Sequence, residues 1–225
     1  MSSFITKQDG YYELGSMGYV ACVVILVLAI LLIAFLADKK QEGKKFSIRQ
    51  VAFSGLALAL GFVASYIKIY DPPFGGSVTL FSMLFVCLIG YWYGIRVGLF
   101  AAFAYSLLQF IQGGGSYMLS PFQICCDYLF AFTALGLSGL FKEKKNGLLI
   151  GYLVSVFVRG LFHSIGGYLY WMDYMPENFP TSLAVIYPIV YNYTYLILEA
   201  VISVIFISIP PVKKAIAHIT QMACD

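Results

Sequence analysis

Long uncharged stretches constrain this chain more than any other feature. Residues 18–37 carry no charge before Asp38, and six further apolar runs follow at 51–69, 78–93, 97–112, 121–141, 148–170 and 183–209. A helix needs about 20 apolar residues to cross the hydrocarbon core. The pattern therefore predicts an all-α integral membrane protein with seven spans. Composition agrees: 60% of the 225 residues are hydrophobic and 11% charged, against roughly 25% charged in a soluble domain. The first run has its lysines behind it rather than in front, so it reads as an uncleaved anchor and not as a signal peptide.

Threading the runs alternately through a bilayer places 11 of the 14 basic residues, from Lys39 to Lys214, on one side. The positive-inside rule then puts the N-terminus outside and the C-terminus in the cytoplasm. The implied organisation is an outer segment 1–17, an extra span 18–37, a basic linker 38–50, a six-helix membrane domain 51–211 and a cytoplasmic tail 212–225. A net charge of +3 is too small to argue for nucleic acid. Five cysteines, Cys22, Cys87, Cys125, Cys126 and Cys224, have no C-x-x-C spacing, which speaks against a disulfide framework or a zinc site.

Ionisable groups inside spans are costly and mark functional sites by default. Four occur: Asp127, Arg159, His163 and Glu199. At about 1.5 Å per residue, Asp127 and His163 lie at one depth below the outer surface, level with Tyr187 and Asn192 of the last span. Arg159, His163, Gly167 and Trp171 recur every fourth residue and so share a helix face. Rimmed by Trp171, Tyr117, Tyr128 and Tyr187, a lone carboxylate suits a small cation with planar rings. The plainer alternative is a structural network in which Asp127 only neutralises Arg159 or His163. Glu199 lies deeper and is expected to pair with Arg159, without a ligand role.

No catalytic motif is visible: H-E-x-x-H, Walker A and G-x-G-x-x-G are absent from the sequence. Ser138 and His163 invite comparison with an intramembrane serine protease, but the helical rise puts them about 16 Å apart in depth. The expectation is a non-enzyme without metal or cofactor. Small-x-x-x-small pairs let helix backbones approach. Those on the first core helix, Gly55 with Ala59 and Ala57 with Gly61, are candidates for a partner protein.

The run from Gly75 to Leu84, the Tyr93-Gly94-Ile95-Arg96-Val97-Gly98-Leu99 segment, the Asp-Tyr pair of the 121–141 span, and Arg159-x-x-x-His163 followed by Gly166-Gly167, Trp171 and Tyr187-x-x-x-x-Asn192 together resemble the ThiT family. These are the thiamine-specific S components of energy-coupling factor (ECF) transporters. The resemblance covers about residues 51–211. It implies a six-helix subunit of a bacterial plasma membrane that captures thiamine from outside and works with a transmembrane coupling subunit and two cytoplasmic ATPases. It also implies ligand contacts at Tyr117, Asp127, Tyr128, His163, Gly167, Trp171, Tyr187 and Asn192. The family usually has Glu where this chain has Asp127, and a tryptophan in the first outer loop where this chain offers only Phe74.

Overall fold

The computed structural model describes residues 5–8, 11–14, 17, 47–113 and 119–225. The anchor at 18–37, most of the basic linker, and Tyr117 lie outside them. Near the N-terminus, β1 (Ile5–Gln8) and β2 (Tyr11–Leu14) form an antiparallel hairpin.

Helix α1 (Ile48–Ser65) opens on a capping box, in which the Ser47 hydroxyl accepts from Gln50 N and the Gln50 side chain accepts from Ser47 N. That arrangement satisfies two of the orphan donors at a helix start. A short antiparallel pair, β3 (Lys68–Tyr70) and β4 (Val78–Thr79), follows. The 78–93 run is thus not a full spanning helix. Its first residues are strand, Val78 is fully buried, and α2 begins only at Ser82 and ends at Tyr93. Non-helical backbone is tolerated at membrane depth only where it is buried in protein or lines a cavity, and both conditions hold for β4.

Gly94 then turns the chain at φ 87, a conformation that is easy only without a Cβ, and α3 (Ile95–Gly113) follows. The next span, α4 (Pro121–Phe141), is one rod of varying pitch. It has an α-helical start capped by Ser120, a π-helical stretch Cys125–Phe130, an α-turn, and a 3-10 end Ala134–Phe141. Helix α5 (Gly147–Tyr170) and helix α6 (Tyr187–Ser208) complete the bundle. Pro210 starts a further helix, α7 (Pro210–Cys224), which packs on α6, α2 and α1.

The half of the bundle at the basic end is held by backbone contact. A Cβ on Gly98 would lie 2.7 Å from Gly90 Cα and 2.8 Å from Gly136 O, and one on Gly151 would lie 2.7 Å from Ser138 O. These glycines bring α2, α3, α4 and α5 closer than any side chain would allow. Ser138 is fully buried in this seam and donates to the Cys87 carbonyl at 2.8 Å, a packing role. On α1, Ala57 and Gly61 are buried, and the position of a Gly61 Cβ lies against Ser82 O and Phe85. That small face is used inside the subunit, while Gly55 and Ala59 remain exposed.

Candidate functional site

At the opposite end the helices part around a cavity of about 680 Å³, within the range of small-molecule sites. Its walls come from α1, the β3–β4 segment, α3, α4, α5 and α6. Each candidate residue that the structure describes lines it: Asp127, Tyr128, His163, Gly167, Trp171, Tyr187 and Asn192.

A chain of polar contacts runs through the wall. Arg159 Nε donates to His163 Nε2 at 3.2 Å. A ring nitrogen that accepts carries no proton, so the imidazole proton sits on Nδ1, which faces Asp127 Oδ1 at 3.7 Å. Asp127 Oδ2 in turn accepts from Gln123 Nε2 at 2.7 Å and from the Trp171 indole N–H at 3.1 Å. The guanidinium of Arg159 lies 4.1 Å above the centre of the Phe132 ring, a cation–π contact. Asp127 is therefore oriented from three sides through α4 and α5. Among the described residues its Oδ1 has no polar partner closer than His163 Nδ1 at 3.7 Å, which leaves it capacity to accept from a ligand.

Local backbone explains how neighbours in sequence share this wall. Asp127 and Tyr128 sit in the π-helical stretch, whose wider turn separates successive side chains by a smaller angle than an α-helix; such bulges often accompany functional sites. Gly166 leaves room for the carboxylate, since a Cβ there would lie 2.7 Å from Asp127 Oδ1. Gly167 has a second use: a Cβ would lie 2.9 Å from that of Pro188, so the glycine lets α6 approach α5. Asn192 is fixed by donating to Pro188 O (2.8 Å) and His163 O (3.3 Å) and accepting from Tyr195 OH (2.8 Å). Tyr187 OH donates to Tyr174 O.

Several lining groups escaped the sequence reading. Gln123, 1% exposed, is the closest partner of Asp127; its spacing of four residues from Asp127 is the signal in the sequence that points to it. Tyr191 anchors the β3–β4 turn, accepting from Phe74 N at 3.0 Å and donating to Gly75 O at 2.9 Å. Phe74 thereby reaches the cavity rim, 5.5 Å from Tyr174 between ring centres. Glu199 corrects an expectation. Among the described residues its carboxylate is held not by Arg159 but by Thr79 N and Thr79 Oγ1 (2.8 Å each), Met83 N (3.3 Å) and Ser82 Oγ (3.5 Å). It caps the buried start of α2 from a different helix.

At the margin of the cavity, Asp71 bonds to Lys68 (2.9 Å) and Ser77 (2.8 Å). Partial burial alone would raise its carboxyl pKa, but the hydrogen bonds from Lys68 and Ser77 and the lysine charge prevail and hold it below the usual carboxylate value.

Residues 51–219 match the family model described as "Thiamine transporter protein (Thia_YuaJ)". The chain is 29% identical to thiamine transporter ThiT of Bacillus subtilis over 161 residues, covering 64% of this chain and 81% of that protein. It is 31% identical to thiamine transporter ThiT of Lacticaseibacillus paracasei over 101 residues, 38% of this chain and 50% of that one. A solved structure of ThiT from Listeria monocytogenes superposes with a TM-score of 0.55 at 20% identity, covering 72% of this chain and 94% of its own, which shows a shared fold. With a family match over most of its length and spans long and apolar enough to cross a bilayer, this multi-pass membrane protein belongs to the thiamine transporter family Thia_YuaJ.

Proposed function

We propose that the chain is the thiamine-binding S component of an ECF importer, taking thiamine into the cavity from the outer face of a bacterial plasma membrane. The observation that carries this reading is Asp127, a carboxylate oriented by Gln123, His163 and Trp171, with aromatic faces from Trp171, Tyr128 and Tyr187 around it. Thiamine joins a cationic thiazolium to an aminopyrimidine, and both rings suit such a surface. Family membership supports the same substrate.

In this reading the N-terminus is outside, the basic end faces the cytoplasm, and a coupling subunit with two ATPases supplies the energy. Gly55 and Ala59 on the exposed face of α1 are the contact positions for the coupling subunit, because small residues permit close helix approach. Ala59→Trp should then abolish co-purification with that subunit and leave thiamine binding intact.

The test of substrate identity is titration calorimetry of the purified chain with thiamine, riboflavin and biotin. Only thiamine should give saturable heat. Binding of riboflavin or biotin instead would reassign the subunit to another vitamin, and thiamine accumulation in liposomes without ATPases would replace the importer by a self-sufficient carrier. Fluorescence adds a site-specific readout: Trp92 lies at the basic end, bonded to Thr220, and Trp171 lies at the cavity. Quenching by thiamine should disappear in Trp171→Phe and persist in Trp92→Phe.

A further inference from the structure

Helix α7 has no counterpart in the expected six-helix core, and its position can be worked out from contacts. Met83 N donates to Glu199, so these two residues share a depth. Trp92 is nine residues beyond Met83 on α2, and Ser208 is nine residues beyond Glu199 on α6; both are about 14 Å further along. α6 therefore ends at the level of Trp92. Fifteen residues of α7 follow, about 22 Å of helix, yet Thr220 meets the Trp92 indole N–H at 3.0 Å and Ala223 O accepts from Tyr93 OH at 3.2 Å. Starting and finishing at one depth, α7 runs crosswise beneath the bundle, along the plane of the membrane.

Around its axis the helix has three sectors. Val212, Ile216, Thr220 and Ala223 are turned into the protein. Next to them, at 100° per residue, Ala215, Ile219 (41% exposed) and Met222 (52% exposed) form an exposed apolar strip. Opposite lie Lys214, His218 and Gln221, all exposed. Arg49 and Lys142 border a smaller cavity with Cys224 at the far end of the helix, so cations flank it at both ends.

From this we propose that α7 is an interfacial helix seated in the headgroup layer of the bilayer, with Ala215, Ile219 and Met222 against acyl chains and Lys214 on anionic lipid phosphates. An apolar strip beside a cationic one is the pattern by which helices lie in that layer, and lysines there are attracted to anionic leaflets. Val201 and Ile205 of α6, on which α7 packs, are likewise apolar and exposed. The choice of leaflet, not the contact itself, rests on the orientation proposed above.

The experiment is a tryptophan scan of α7 in the full chain, in a Trp92→Phe, Trp171→Phe background, reconstituted in nanodiscs of brominated phosphatidylcholine with phosphatidylglycerol. Ile219→Trp and Met222→Trp should lose most of their emission, and Lys214→Trp and Gln221→Trp little. In the unmodified chain, which avoids any folding defect of the variants, amide exchange across 213–222 should slow when phosphatidylglycerol is added to phosphatidylcholine. Equal, weak quenching at all four positions, with exchange indifferent to the anionic lipid, overturns the proposal. So does burial of Ile219 and Met222 that appears only when a coupling subunit is added. Neither readout involves thiamine, so a wrong substrate leaves the result standing.

Discussion

The two ends of this bundle solve opposite problems. At the basic end, Gly90, Gly98, Gly136 and Gly151 bring four helices into backbone contact, and van der Waals packing there is joined only locally by buried serine-to-carbonyl hydrogen bonds such as that of Ser138 to Cys87. At the other end the same helices diverge around a cavity, and hydrogen bonds between side chains replace packing as the cohesive element. Rigidity and ligand access are thus assigned to different depths of the same rods.

The contrast can be broken most forcefully in the glycine seam. Gly98→Leu places a side chain where a Cβ alone meets backbone at 2.7 Å, and overpacking of this kind costs about 3 kcal/mol or more. Loss of the thermal transition in detergent is expected, whereas Gly55→Leu, on the exposed face of α1, should melt like the parent. Equal effects of the two would mean that the seam is not what holds that end together.

Asp127→Asn probes the other end. Thiamine affinity should fall by about 1 to 3 kcal/mol, as for loss of a charge-assisted contact, measured by calorimetry with the melting point nearly unchanged. Undiminished affinity in a folded variant would return Asp127 to a structural role. Glu199→Gln sharpens the boundary between the regions. Removing charge from a cap with four donors should lower stability by about 1 to 2 kcal/mol, seen by melting, while thiamine binding responds less than in Asp127→Asn.

The smallest effect is expected at the rim. Asp71 has a folded pKa below its unfolded value, so its contribution is present above the unfolded pKa and is lost as pH falls through the folded one. Amide exchange of residues 68–79 should therefore speed up only in acid. Lys68→Ala should remove part of that pH dependence without altering binding at neutral pH.

The sequence made the spanning helices and the shared depth of Asp127, His163 and Asn192 legible because helical rise converts residue number into depth. It misled at 78–81, where apolar character fits a buried strand as well as a helix and length alone could not arbitrate. The helical state of α7 is less legible because its lysines break the apolar run, although its amphipathic period carries the signal. Glu199 was assigned to Arg159 by charge alone, since nothing local reveals that a backbone start 120 residues away offers donors. The π-helical pitch around Asp127 left no mark that residue type would disclose.

That last distance bears on how the protein is made. The glycine seam joins α2 to α5, segments close in sequence whose contacts close short loops. The cap on α2 instead joins Thr79 to Glu199 across 120 residues, and a longer loop adds to the entropic cost of closure. During synthesis the seam can form once α5 has emerged, but β4 and the start of α2 must wait for α6 before their donors find a carboxylate. A chain halted before residue 187 would hold a consolidated base and no binding chamber, which makes completion of the last span the event that turns a helical hairpin array into a receptor.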